Sequence, residues 1–133
     1  MAALTQDRNT PRRLGDEGNH PVAASTEIFA GGITVLDASG NAAPGSTATG
    51  LKAVGRAEEH VDNGAGSAGD KSVQTRKGTF RFDNDGSIDR THIGGKAYIV
   101  DDQTVAATDG TGTRSEAGDI QDVDSDGVWV TFI

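Results

Sequence analysis

The last thirteen residues, QDVDSDGVWVTFI (121–133), carry the reading that decides the fold. β-Branched and aromatic residues flank Ser125, Asp126 and Gly127, which marks two strands joined by a tight turn, with Gly127 supplying its positive-φ position. In the final strand Val128, Val130 and Phe132 face one way, while Trp129, Thr131 and Ile133 face the other. Both faces therefore carry large apolar groups, as in a strand that is central in a closed barrel or pressed against another chain. Trp129, Phe132 and Ile133 are accordingly candidates for an oligomer interface.

The same stretch also begins like a helical calcium loop, because Asp122, Asp124, Asp126 and Gly127 fill its positions 1, 3, 5 and 6. Position 12 requires a bidentate Glu and holds Ile133, and no helix flanks either side. The turn reading prevails. Asp83, Asp85, Ser87 and Asp89 alternate in the same manner, and there too a turn at Asn84, Asp85 and Gly86 is the better account. No metal site is assigned, although weak cation binding stays open at 83–89 and 122–126.

Working back along the chain, AYIV (97–100) and TVAA (104–107) have hairpin spacing. In KSVQTRKGTFRF (71–82), Val73 and Thr75 share one face, and Phe80 and Phe82 have the opposite parity; a bulge at Gly78 would bring both pairs to one side. Strands are also expected at about 26–29, 32–37 and 117–123, with KAVGRAEEHV (52–61) between the first hairpin and a glycine-rich stretch, DNGAGSAGD (62–70). GAGSAG and GTGT have neither the strand-to-helix setting nor the Gly-Lys-Ser/Thr ending of a phosphate cradle, so both are expected to be mobile loops. No amphipathic helix of more than two turns and no internal repeat is visible. The expected fold is mainly β, a small barrel or sandwich of short antiparallel strands.

Residues 1–21, MAALTQDRNTPRRLGDEGNHP, hold only Leu4 and Leu14 as large aliphatic residues and show no periodicity. Pro11 and Pro21 disfavour helix at the residues before them, so an extended arm is expected, preceding a single β domain over 22–133. Arg8, Arg12 and Arg13 form one local basic cluster, diluted by Asp7, Asp16 and Glu17, and suited to an acidic partner surface.

Composition bounds the rest. Leu, Ile, Val and Phe number 25 of 133 residues, a thin core that asks for partner subunits to complete its burial. A net charge of −8 argues against nucleic acid as partner. With no cysteine, disulfides and thiol chemistry are excluded, which favours an intracellular or phage-like origin. Apolar runs fall far short of the roughly 20 residues of a membrane helix, and no signal-peptide core is seen, so a soluble, untargeted chain is expected. His20, His60 and His92 are scattered, and no nucleophile-elbow pattern surrounds any Ser. Neither an enzyme nor a cofactor is expected.

Several phrases, ALTQDRNTPRR, HPVAA, ITVLDASGNAAPG, VGRAEE, YIVDDQTVAATDGTGTRSEAG and DVDSDGVWV, resemble small head proteins of tailed bacteriophages, of the decoration or capsid-cement family. The resemblance runs over nearly the whole chain and is closest in TQDRNTPRR and DDQTVAATDGTGTRS. It implies a β-rich body, made in the host cytoplasm and seated on the outside of the head at junctions of the major capsid protein, often as a homotrimer, with a dimer as the lesser option. It also implies a terminal arm along the shell, here Thr5, Gln6, Asp7, Arg8, Asn9, Thr10, Arg12 and Arg13. The rival expectation is a carbohydrate- or cell-surface-binding β module on the virion.

Overall fold

The computed structural model describes residues 2–133, and these form twelve strands and one 3₁₀ turn, Arg90–His92. The strands are β1 (Glu17–Pro21), β2 (Thr26–Ile28), β3 (Ile33–Leu36), β4 (Ala42–Pro44), β5 (Lys52–Ala57), β6 (Val61–Asn63), β7 (Ser72–Arg76), β8 (Thr79–Asn84), β9 (Lys96–Ile99), β10 (Thr104–Ala106), β11 (Glu116–Asp124) and β12 (Gly127–Thr131). The mainly β expectation holds, and its barrel form is present.

The C-terminal half closes into a barrel in the order β10-β8-β12-β11-β9, with β9 and β10 paired to complete the ring. β12 lies at its centre, bonded to β8 through Val128↔Phe82 and Val130↔Phe80 and to β11 through Ile120↔Val130. One seam departs from the antiparallel expectation: β8 and β10 are parallel, joined at Thr104↔Asp83 and Val105↔Asn84. Parity requires it. Five strands in a ring cannot alternate direction all the way round, so one adjacent pair must run the same way.

The N-terminal half is a second five-stranded sheet, β1-β7-β5-β3-β4. Its two edges nearly meet, because Val22, just past β1, bridges Ala42 of β4 in parallel and the Ala23 N–H donates to the Ala42 carbonyl at 2.9 Å. β2 and β6 form a small ribbon beside it, with Ile28 opposite Val61.

β3 is the wall between the two halves, and its side chains alternate accordingly. Ile33 and Val35 enter the barrel core with Phe82, Ile88, Ile99, Ile120, Val130 and Phe132, whereas Leu36 packs on a smaller cluster of Val22, Ile28, Ala42, Ala57, Val61 and Val73. Full burial of a Val or Ile side chain stabilises by roughly 1.5–3 kcal/mol, and the thin aliphatic content is divided between two small cores sharing one wall.

Two expectations need correction. Val73–Thr75 and Phe80–Phe82 do not share one bulged strand; they belong to β7 and β8, in different sheets. Gly78, at φ 155, turns the chain from one to the other, a conformation that L side chains rarely adopt. Residues 17–21, expected in the arm, are a sheet strand: β1 pairs antiparallel with β7 from Glu17↔Arg76 to Pro21↔Ser72. Backbone pairing selects this strand, and its polar sequence EGNHP gave no apolar alternation to announce it.

Candidate functional site

Residues 2–16 and the β1 edge that follows them form the most distinctive surface. Residues 2–16 have neither strand nor helix and are exposed throughout, including Thr5, Gln6, Asp7, Arg8, Asn9, Thr10, Arg12 and Arg13. Among the described residues, Arg8, Arg12 and Arg13 enter no ion pair within the chain. The first anchoring bond is that of the Lys77 N–H to the Asp16 carbonyl at 2.7 Å, and the last of that side is Val22 N–H to Lys71 at 2.9 Å.

These two bonds fix the direction of every peptide group between them. Even-numbered residues of β1 turn their N–H and C=O toward β7, so Glu17 and Asn19 turn theirs away from the sheet. Apart from β4, which meets that side just past the end of β1 at the Ala23–Ala42 bond, no strand among the described residues pairs with it. Pro21 also points its nitrogen outward, where a missing N–H leaves no gap in the ladder. The result is a short open edge at Glu17 and Asn19, continuous with the exposed residues 2–16.

A groove of about 550 Å³ lies over the β1–β7 pair, lined by Arg13, Leu14, Asn19, His20, Gln74 and Arg76. Arg76 reaches Glu17 at 2.7 Å across the strand pair. His20 is half-buried in it, and burial, reinforced by the Lys77 ammonium, holds its imidazole below the ordinary pKa. The neutral ring is thus favoured in the fold.

The three interface candidates of the last strand part company. Phe132 is a correction: it is 4% exposed, edge-on to Phe82 with centroids 5.9 Å apart, and so belongs to the barrel core and not to a free surface. Ile133 is 87% exposed and borders a second groove of about 300 Å³ with Leu51, Ala53 and Lys96. Trp129 is half-buried on the outer barrel face, with the Arg81 guanidinium 5.7 Å from its ring centroid.

The Asp-rich stretches are turns. Asp124 Oδ1 accepts from the N–H groups of Asp126 (2.8 Å) and Gly127 (3.1 Å), and Oδ2 accepts from the Trp129 indole N–H at 3.0 Å. The indole bond first, then the Asp126 N–H, hold the Asp124 carboxyl below the usual range. Gly127 sits at φ 152, where an added Cβ would lie 2.3 Å from the Phe82 carbonyl oxygen. Asp122 turns instead to Arg90 at 3.4 Å. In the other stretch Asp85 accepts from the Ser87 N–H, and Asp89 caps the 3₁₀ turn through the Thr91 N–H, both at 2.9 Å. Among the described residues no three His, Asp or Glu side chains gather into a metal-binding group.

The histidines lie apart: His20 on the edge strand, His60 against Glu27 at 2.8 Å, and His92 against Asp89 at 3.2 Å. Sequence reasoning missed the patch around His60, where exposed Phe29 stacks on the imidazole at 5.0 Å and 7°. Thirty-one positions separate the two rings, and only the β2–β6 pairing joins them. No protein-family model, curated protein or solved structure matches this chain, which leaves its own residues to carry the functional argument.

Proposed function

We propose that this chain is a decoration, or cement, protein of a tailed-bacteriophage head, binding the outer surface of the capsid at junctions between major capsid protein subunits. The observation that carries the reading is an exposed, proline-braced arm leading without interruption into an open strand edge. Such an arm gains main-chain hydrogen bonds from almost any acceptor edge, and Arg8, Arg12 and Arg13 add charge-assisted contacts to acidic partners. A homo-oligomer, with a trimer favoured, presents several arms at once, so each further contact becomes intramolecular. The mechanical consequence is a bridge between neighbouring capsomers that raises the free energy needed to part them under the pressure of packaged DNA. No bond chemistry is involved.

The test is to add the purified protein to expanded capsids that lack it and to measure co-sedimentation. Near-stoichiometric occupancy is expected, and removal of residues 1–13 should weaken it by roughly 100-fold or more through lost multivalency, with the body still folded. A chain that ignores capsids would overturn the reading. One observation favours the glycan-binding alternative: Trp129 lies half-exposed among Arg81 and Asp122, a setting in which an aromatic face and planar polar groups could hold a sugar. Glycan-array binding lost on Trp129→Ala, without capsid binding, is the result that would establish it.

A further inference from the structure

Asn63 closes β6 and is 2% exposed. Its Nδ2 lies 3.0 Å from the Ala23 carbonyl, 3.0 Å from that of Ser67 and 3.4 Å from that of Val22. Three acceptors can face only the NH₂ end of the amide, which fixes its orientation. The other end, Oδ1, is buried without an N–H or O–H partner. It points at Gly66, where an added Cβ would come within 2.0 Å, so a glycine Cα–H is what meets it.

This one amide therefore ties three segments together: the end of β6, the chain just after β1, and the glycine-rich loop 64–70. Backbone bonds from Ser25 to Gly66 (3.1 Å) and from Gly69 to Val22 (3.0 Å) complete the corner. The loop expected to be mobile is instead pinned.

Asn63 also precedes Gly64, and Asn-Gly is the pairing in which the following backbone nitrogen reaches the side-chain carbon with least hindrance. Attack of the Gly64 nitrogen on Asn63 Cγ forms the N–C bond of a succinimide. The Cγ–Nδ2 bond breaks, and ammonia leaves carrying the proton from the Gly64 nitrogen. Water then opens the ring to aspartate or isoaspartate. In the fold both participants are engaged elsewhere: the Gly64 N–H donates to Asp62 Oδ1 at 2.9 Å, and Nδ2 is held by its carbonyls.

We propose that Asn63–Gly64 is a conformation-gated deamidation site, intact while the corner is closed and converted when it opens. Conversion is one-way. The new carboxylate would face three carbonyl oxygens with no donor among them, a burial that the closed corner cannot accommodate. Each long-lived opening thus removes a chain permanently from the folded pool, as chemical modification of an open state does.

Peptide mapping of the full chain, incubated at mildly alkaline pH in buffer and in guanidinium, tests this. Conversion at Asn63 is expected in denaturant and at least roughly 100-fold slower in buffer, because the closed state dominates the equilibrium. Equal rates would overturn the gating. Gly64→Ala in denaturant should slow conversion several-fold, and an unchanged rate would overturn the succinimide route. Asn63→Asp should be less stable than Asn63→Ala near neutrality, with the gap closing on acidification as the carboxyl takes up a proton. Asn63→Asp as stable as the native chain would overturn the one-way step.

Discussion

One five-stranded unit of this chain is a ring, and the other meets itself through a single residue bridge. The barrel closes through β8 and β10 with two register pairs and is filled by Phe82, Ile88, Ile99, Ile120 and Phe132. The N-terminal sheet meets itself only at Val22 and Ala42, around a cluster of Ile28 with three valines and two alanines. The difference in core volume matches the difference in closure. Where large side chains fill the space, backbone pairing runs round it; where they do not, a polar amide and a glycine-rich corner complete the wall. The looser unit is also the one that the exposed residues 2–16 lead into.

The largest test of that contrast is Phe132→Ala, which removes a ring packed on Phe80 and Phe82 and should cost about 3–5 kcal/mol in urea unfolding, with the whole barrel losing hydrogen-exchange protection. Val73→Ala, in the smaller core, should cost about 2 kcal/mol, with the loss of protection concentrated in β1, β5 and β7. Equal loss in barrel and sheet would show that the two units open as one.

Asp102→Asn probes the joint between them, since the Asp102 carbonyl accepts the Ile33 N–H at 2.7 Å. Burial first, then the neighbouring Asp101 charge, push its carboxyl above the usual range. A raised carboxyl contributes stability that is present in acid and lost as pH rises through the folded pKa. The variant should therefore be more stable at neutrality, by less than about 1 kcal/mol given solvent screening, with no gain in acid.

His20 should give the smallest effect. Its lowered pKa means stability present above the unfolded value of 6.5 and lost as pH falls below it. Amides of β1 should exchange faster on mild acidification, while those of β12 do not, and His20→Gln should remove the difference. Identical responses in both strands would erase the contrast between edge and ring.

Much of the barrel was legible in the sequence, because its strands advertise themselves by side chain. GVWVTFI, AYIV and TVAA alternate or cluster β-branched residues, and Gly127 marks the turn that launches the last strand. The N-terminal sheet was harder to read. EGNHP is polar and AAP is small, so β1 and β4 are strands by virtue of neighbours distant in sequence. The arm candidates were found exposed, whereas Phe132 was assigned to a surface because alternation specifies two faces without saying which is lined by the other strands. The Asn63–Gly64 pair is legible in the sequence, but the burial of Asn63 is not, since it depends on carbonyls contributed from 22, 23 and 67.

The spacing of paired strands along the chain has a kinetic consequence. The β11–β12 hairpin needs only a two-residue turn and can form within microseconds, whereas β8–β12 joins Phe82 to Val128 and β1–β7 joins Glu17 to Arg76, pairings that carry a much larger loop-closure cost. Both parallel seams join nearer partners, Val22 with Ala42 and Asp83 with Thr104, so the β1–β7 and β8–β12 pairings are the slower steps of their units. A chain arrested before those pairings form would expose unpaired edges in both units, so the window for misassembly closes only when Glu17 meets Arg76 and Phe82 meets Val128.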